Sequence, residues 1–408
     1  MMQYLLALTL LLAPTYVVRF SLFGRPTNLL MVWIFLLWVI FILWIVFGKR
    51  LPSLFHWLRT ELKLPQAILA LAFLLAGVIS LFVGGISEEK LGQFIVLFIQ
   101  PIGTFFITWY VWSSSNQGLM LRGLLIRAVL IFIAVSGLYA IIQYFTLLGV
   151  PVAWWGNAQE PKRAVAFFLH PNFYALFITP LLAFVLPVVN DQWLAIRKEL
   201  RSELLTTHYS LLTTVAWLLG AIGLLLSLSR GGWLGLAVAV GLYILVAGNR
   251  KIIKSALVAG ALVILIVVAV PNFRYRVLLP FRGEKSIVAR FSLWNTGWKM
   301  VKDNPVLGKG LLGFSNNWDK YNTDPGLQHY PGPHNIFLNF WVDTGLLGLI
   351  SFFGLIALAL KRSWQKRKTS LALGLTLACV ALVVHGLVDI PYFKNDLALV
   401  FWLLYAFV

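Results

Sequence analysis

Apolar runs of about 20 residues, the length a helix needs to cross roughly 30 Å of hydrocarbon, recur along this 408-residue chain. Inside lipid every backbone N–H and C=O must find its partner within protein, so repeated runs of this length demand a bundle of helices. About twelve spans are expected, at roughly 2–23, 28–47, 65–84, 91–111, 123–149, 171–189, 210–228, 232–247, 255–271, 335–360, 370–389 and 395–408. Composition agrees: 60% of residues are hydrophobic and only 12% charged, too few to cover a soluble fold of this size. The expectation is an all-α integral membrane protein, a single polytopic domain over residues 1–408. Its start has no basic n-region and no small-residue cleavage site, and reads as a retained first span rather than a signal peptide.

The formal charge of +19 would suit nucleic acid, but the distribution argues against that partner. Much of the positive charge sits in clusters between apolar runs, where it carries topology. Lys49, Arg50, Arg59 and Lys63 share one loop, and Arg122 and Arg127 mark the next on that side. Arg197, Lys198 and Arg201 follow, then Arg250, Lys251 and Lys254, then Lys361, Arg362, Lys366, Arg367 and Lys368. The short loops on the other side hold one or two cations each. The positive-inside rule puts the rich loops and both termini in the cytoplasm, so the long segment 271–334 lies outside. Residues 190–209, with Trp193, Ile196, Leu200 and Leu204 at helical spacing, read as a cytoplasmic amphipathic helix that anchors the topology. One cysteine, Cys379, allows no intramolecular disulfide.

The external segment is rich in signals. Ile287, Phe291, Trp294, Trp298 and Val301 recur at helical intervals and stop at Asn304-Pro305, which predicts an amphipathic helix at the membrane interface. Its other faces carry Arg290, Asn295, Lys299 and Lys302; the lysines suit lipid phosphates or a substrate equally. Gly308-Lys309-Gly310-Leu311-Leu312-Gly313 is formally GxGxxG, but no strand precedes it and there is no room for a βαβ unit. It reads as a close-packing turn, with a phosphate-binding nest as the second reading.

Further arginines fall at external ends of spans: Arg163 before His170-Pro171-Asn172, Arg230 in Leu228-Ser229-Arg230-Gly231-Gly232, and Arg274 and Arg276 after the ninth span. One such arginine is an ordinary snorkelling anchor. Several on one side could converge on an anion, which the guanidinium fork binds bidentately.

A polar cluster, Pro331-Gly332-Pro333-His334-Asn335, opens the tenth span, and Asn335, Asn339 and Asp343 follow at intervals of four. Hydrocarbon gives no reason to keep such a stripe. His334 is the preferred base, since neutral imidazole can take a proton from a hydroxyl. His385 and Asp389, again four apart, read as a structural hydrogen-bonded pair, or else as a supporting or competing base. His170 is expected to shape the turn before Asn172, while His56 and His208 fall on the cytoplasmic side. No DxD, HExxH or paired acids at metal spacing occur, and Ser21–Thr27 outside has no acid. An external diphosphate would therefore be neutralised by arginine, with no metal and no cofactor expected.

Arg163 ahead of His170-Pro171-Asn172, Ser229-Arg230-Gly231-Gly232-Trp233-Leu234-Gly235, Arg290 ahead of Asn304-Pro305-Val306-Leu307-Gly308-Lys309-Gly310, and His334-Asn335 leading to Gly345-Leu346-Leu347-Gly348-Leu349 occur in this order. Together they resemble the O-antigen ligase and polymerase superfamily, over roughly residues 120–360. The resemblance implies a membrane-embedded, GT-C-like, metal-independent inverting glycosyltransferase of the bacterial inner membrane. Its donor would be a glycan on undecaprenyl diphosphate at the periplasmic leaflet. Arg163, Arg230 and Arg290 would bind the diphosphate and His334 would be the base. Asn335, Asn339, Asp343, His385 and Asp389 are supporting candidates; Arg274 and Arg276 match no motif. The acceptor is lipid A–core for a ligase and a second lipid-linked glycan for a polymerase, with ligase preferred. A protein-glycosylating member fits less well, because this chain ends in a span. Twelve spans also suit a carrier of polysaccharide or lipid, but carriers place polar sites near mid-membrane in repeated halves, whereas here they gather at the external face.

Overall fold

The computed structural model describes residues 1–22, 24–113, 115–157, 160–198, 204–247, 253–254, 258, 260–261, 265, 268–279 and 285–408. In chain order its elements are α1 (Met2–Leu12), β1 (Arg19–Leu22), β2 (Arg25–Asn28), α2 (Leu29–Phe47), α3 (Leu51–Glu61), α4 (Pro65–Phe82), α5 (Glu88–Ser113), α6 (Ser115–Thr146), α7 (Pro171–Lys198), α8 (Leu204–Leu226) and α9 (Arg230–Ala247). Residues 271–334 hold α10 (Pro271–Leu278), α11 (Lys285–Asp303), α12 (Gly313–Asn316) and α13 (Trp318–Tyr321), and α14 (Ile336–Gln365), α15 (Ser370–Gly386) and α16 (Asn395–Tyr405) close the chain. Among the described residues the only sheet is the β1–β2 hairpin.

Among the described residues, seven helices are long and apolar enough to span a membrane: α2, α4, α5, Gly118–Thr146, Pro171–Val189, α9 and α14. Shorter apolar helices stand at Met2–Val17, Leu211–Leu226, α15 and α16, at the expected first, seventh, eleventh and twelfth positions. The first of these is not the continuous span 2–23 read from the sequence. Helix α1 gives way to a 3-10 turn at Ala13–Val17 containing Pro14, whose ring removes a donor and ends regular helix. The chain then turns back in the hairpin, with Arg19 opposite Asn28 and Leu22 opposite Arg25. The expected ninth span at 255–271 falls largely outside the described residues, as do Arg201, Arg250 and Lys251 and the side chains of the amphipathic pattern at 190–209.

Helix α11 ends at Asp303, before Asn304-Pro305, as its sequence requires. Its most buried residues lie largely on a second stripe beside the aromatic one. Leu293, Thr296, Met300 and Val301 are buried, whereas Phe291 and Trp298 are 62% and 44% exposed. The helix carries two apolar stripes; Leu293, Met300 and Val301 pack with Phe314, Trp318, Tyr321 and Val342, and the aromatic stripe is left outward, as interfacial helices present it.

The chain divides into two compact units: 1–129, 293–362 and 389–408 form the first, and 130–292 with 363–388 the second. The first is built around an aromatic core. Phe340 stacks on Phe352 at 4.1 Å, Phe73 lies 4.8 Å from Phe98, and Trp402 packs 5.0 Å from Phe105. Its buried polar tips are satisfied, as large aromatics require: Trp402 Nε1 donates to Tyr392 Oη at 3.1 Å, and Tyr392 Oη donates to Leu97 O at 2.5 Å.

Within this unit α14 is broken at Gly345, where φ is 66° and ψ −169°. A helix broken at membrane depth exposes backbone that hydrocarbon cannot satisfy. The loop 306–310 supplies the missing partners: Lys309 N donates to Val342 O at 2.6 Å and Leu346 N to Val306 O at 2.8 Å. The fit is so close that a Cβ on Gly345 would stand 2.4 Å from Val306 O. This explains the glycine in Gly345-Leu346-Leu347-Gly348, and it decides between the two readings of the GxGxxG string. The amides of Gly308, Lys309, Leu311 and Gly313 already donate to Asn304, Val342, Ser80 and Gly310 carbonyls, so the string is a packing turn. Gly345→Ala combines a conformation open almost only to glycine with this clash, and should cost about 3 kcal/mol; a melting temperature in detergent equal to wild type would refute the lock.

The second unit packs helices through small residues, as membrane bundles do in the absence of a hydrophobic drive. A Cβ on Gly374 of α15 would stand 2.1 Å from Phe184 O of α7. Ala183, Ala239, Tyr243, Leu373, Leu377 and Ala381 form its core across α7, α9 and α15.

Candidate functional site

The second unit gathers the arginines. Helix α8 stops at Leu226, Leu228 takes a left-handed φ of 53°, and α9 begins at Arg230. A branched residue in that region of backbone space is an outlier that surrounding contacts must hold. Here two guanidinium groups do so. Arg163 Nε donates to Ser227 O at 2.8 Å and Arg276 Nε to Leu228 O at 3.1 Å. Ser229 N adds a bond to Ser227 Oγ at 3.3 Å.

Arg163 is oriented further by Asn172, whose Oδ1 accepts from its Nη2 at 2.8 Å, and by the Trp154 ring 5.3 Å from its guanidinium carbon. Asn172 N donates in turn to His170 Nδ1 at 3.1 Å, so His170 shapes that turn as its sequence position implies.

Arg230 and Arg290 meet at Ser286 in the first turn of α11. Arg230 Nη2 lies 3.5 Å from Ser286 Oγ and its Nη1 3.5 Å from Arg276 O. Arg290 Nη1 donates to Ser286 O at 3.3 Å, and its Nε to Val388 O at 3.0 Å. These bonds to carbonyl, amide and hydroxyl oxygens aim the guanidinium groups. The two contacts of Arg230 are at the long limit of a hydrogen bond and would yield readily to an anionic oxygen. Arg276 is the member of this group that no motif marked; its exposed neighbour Arg274 takes no part in these bonds.

His385 is fully buried behind the same turn. A Cβ on Gly231 would stand 2.7 Å from its Cδ2 and 3.0 Å from its Nε2. His385 and Asp389, four apart in sequence, were expected on one helix. Helix α15 ends at Gly386, so the spacing of four does not bring these two onto one helical face.

Asp389 pairs with His334 within the first unit: Oδ1 lies 3.1 Å from His334 Nδ1, with side chains 5% and 23% exposed respectively. A buried carboxylate on Nδ1 fixes the neutral imidazole as the Nδ1–H tautomer and leaves Nε2 as the basic nitrogen. His334 itself sits at φ 49°, another strained non-glycine position. Trp294 Nε1 donates to its carbonyl at 3.4 Å, and the Tyr330 ring stands edge-on 5.5 Å away.

The polar stripe that follows serves the scaffold. Asn335 caps α14, its Oδ1 accepting from Phe337 N and Leu338 N at 3.0 and 3.1 Å, as N-cap residues do. Asp343 accepts from Phe314 N at 3.1 Å and from Asn339 Nδ2 at 3.1 Å, tying α12 to the helix. Asn339 Oδ1 faces Gly332 so closely that a Cβ there would stand 2.4 Å away, which accounts for the glycine of Pro331-Gly332-Pro333. Lys309 is likewise committed, donating to Tyr321 Oη at 2.7 Å with Asp303 Oδ2 at 3.9 Å. Lys299 Nζ donates to Thr323 Oγ1 at 3.1 Å and Lys302 lies over Trp298.

Residues 215–353 match the family model described as O-antigen ligase. That stretch contains Arg230, Arg276, Arg290 and His334, while Arg163, His385 and Asp389 lie beyond it. A protein of Haemophilus influenzae (strain ATCC 51907 / DSM 11121 / KW20 / Rd), described as uncharacterized, is 26% identical over 201 residues, covering 45% of this chain and 50% of that one. The chain thus matches about half the length of that relative.

Proposed function

We propose that this chain, with its O-antigen ligase segment at residues 215–353, is a multi-pass membrane glycosyltransferase that moves a glycan from undecaprenyl diphosphate to lipid A–core. The transfer takes place at the periplasmic face of the inner membrane, inverts the sugar and uses no metal. Arg163, Arg230 and Arg290 bind the diphosphate; His334 is the base.

The observation that carries this reading is the His334–Asp389 pair at 3.1 Å, an oriented imidazole in the external polar cluster of an otherwise apolar chain. An acceptor hydroxyl approaches the anomeric carbon opposite the diphosphate, and its proton passes to His334 Nε2. The oxygen–carbon bond forms as the bond from carbon to the diphosphate oxygen breaks, and the electron pair stays on that oxygen. Guanidinium groups held in place beforehand stabilise the charge gathering there. Both reactants are lipid-anchored at one surface, which supplies proximity. In sequence, Val388, the acceptor of Arg290, is followed directly by Asp389, the partner of His334.

The test is reconstitution. Purified protein in proteoliposomes, given labelled undecaprenyl diphosphate-linked glycan, should label lipid A–core when that acceptor is present. Label on a second lipid-linked glycan instead would make the chain a polymerase. Movement of the donor across the bilayer with no new covalent product would make it a transporter.

A further inference from the structure

We propose that Arg276 is a fourth guanidinium of the diphosphate cradle, one that acts chiefly on the departing lipid diphosphate; the proposal rests on the donor reading above. Arg274 and Arg276 both stand in α10, and the fold separates them. They stand two apart in α10, about 200° around the helix, so they cannot share a face. Arg274 is exposed, whereas Arg276 is partly buried and reaches back to the left-handed turn before Arg230.

Its anchorage repeats a pattern. Three arginines in this unit each place Nε on a main-chain carbonyl: Arg163 on Ser227, Arg276 on Leu228 and Arg290 on Val388. A guanidinium fixed through Nε keeps the opposite edge, with its two terminal nitrogens, in a set orientation, the edge that takes a phosphate bidentately. Arg276 also supplies the carbonyl on which Arg230 Nη1 rests at 3.5 Å. Ser227 and Leu228 are successive residues, so the turn holds Arg163 and Arg276 side by side immediately before Arg230.

The chemistry gives a fourth cation a purpose. In the donor both ends of the diphosphate are esterified. When the bond to the anomeric carbon breaks, the electron pair stays on the phosphate and the lipid diphosphate gains one negative charge. A cation added to the cradle is therefore worth more to the product-like transition state than to the donor, the condition for raising kcat rather than only tightening binding.

The experiment measures binding of inorganic pyrophosphate to the full-length protein in nanodiscs by calorimetry, and transfer kinetics in the same preparations. Arg276→Ala should weaken pyrophosphate binding about tenfold or more and lower kcat by a larger factor than it raises KM. Arg274→Ala should stay within about twofold of wild type on both measures. Arg276→Lys, which keeps the charge and loses the fork, should weaken binding by about threefold or more; it carries the comparison if the alanine variant does not fold. Wild-type affinity in whichever Arg276 variant folds overturns the proposal, as does an equal loss in Arg274→Ala. Weakening by Arg230→Ala without weakening at Arg276 leaves the donor reading standing and removes Arg276 from it. No pyrophosphate binding by the wild-type protein removes both.

Discussion

Replacing His334 with alanine lowers glycan transfer by about a thousandfold or more, the range expected when a positioned base is lost, while pyrophosphate binding stays close to wild type. The residue occupies a left-handed backbone position, φ 49°, so His334→Asn is the companion variant, since asparagine tolerates that region. Its amide cannot act as a base, and the same loss should follow. Asp389→Asn separates orientation from chemistry. The carboxylate on Nδ1 selects the tautomer with a basic Nε2; an amide can turn its NH₂ toward Nδ1 and stabilise the reverse. A loss of about a hundredfold in kcat with little change in KM is expected. Transfer by His334→Ala at near-wild-type rate, measured with labelled donor in proteoliposomes, would remove it as the base.

The second large effect is expected at the arginines, from a substitution that keeps their charge. Arg290→Lys and Arg230→Lys should each lower kcat/KM by about ten- to a hundredfold. Arg290 uses Nε on Val388 O and Nη1 on Ser286 O at once, and Arg230 spans Ser286 Oγ and Arg276 O. A single ammonium cannot hold two such positions and still face a phosphate. Full turnover in both lysine variants, with normal expression and melting temperature, would mean that charge alone suffices.

Much of the helical framework was legible because hydrocarbon permits so few solutions: apolar length and alternate loop charge suffice to mark spans. Arg163 and Arg230 stood out as two of several arginines at span ends, and Arg290 as a cation on the polar side of an amphipathic helix. Arg276 was visible too, but its role was not, since nothing in Arg-Tyr-Arg says which side chain faces the turn. The partner of His334 was hidden for a related reason. Asp389 lies 55 residues away, and its spacing from His385 suggested one continuous helix, whereas α15 ends at Gly386. In the stripe Asn335, Asn339, Asp343, the middle residue bonds to Asp343 itself, but Asn335 and Asp343 accept from the backbone amides of Phe337 and Phe314, which carry no side-chain signature. Leu228 in a left-handed turn gave no signal either, because a leucine is the residue least expected there.

The seam between residues 306–310 and the interrupted helix has one more implication. It is stitched entirely by main-chain groups, with Val306 and Leu307 themselves 64% and 52% exposed. What it constrains is therefore spacing rather than chemical identity. A single inserted or deleted residue between Pro305 and Gly310 would move each amide out of step with its carbonyl and leave peptide groups bare to lipid, at several kcal/mol apiece by the usual estimate. Wholesale substitution of the outward side chains would leave the seam whole. A surface segment of this kind can be rewritten side chain by side chain, provided that its length never changes.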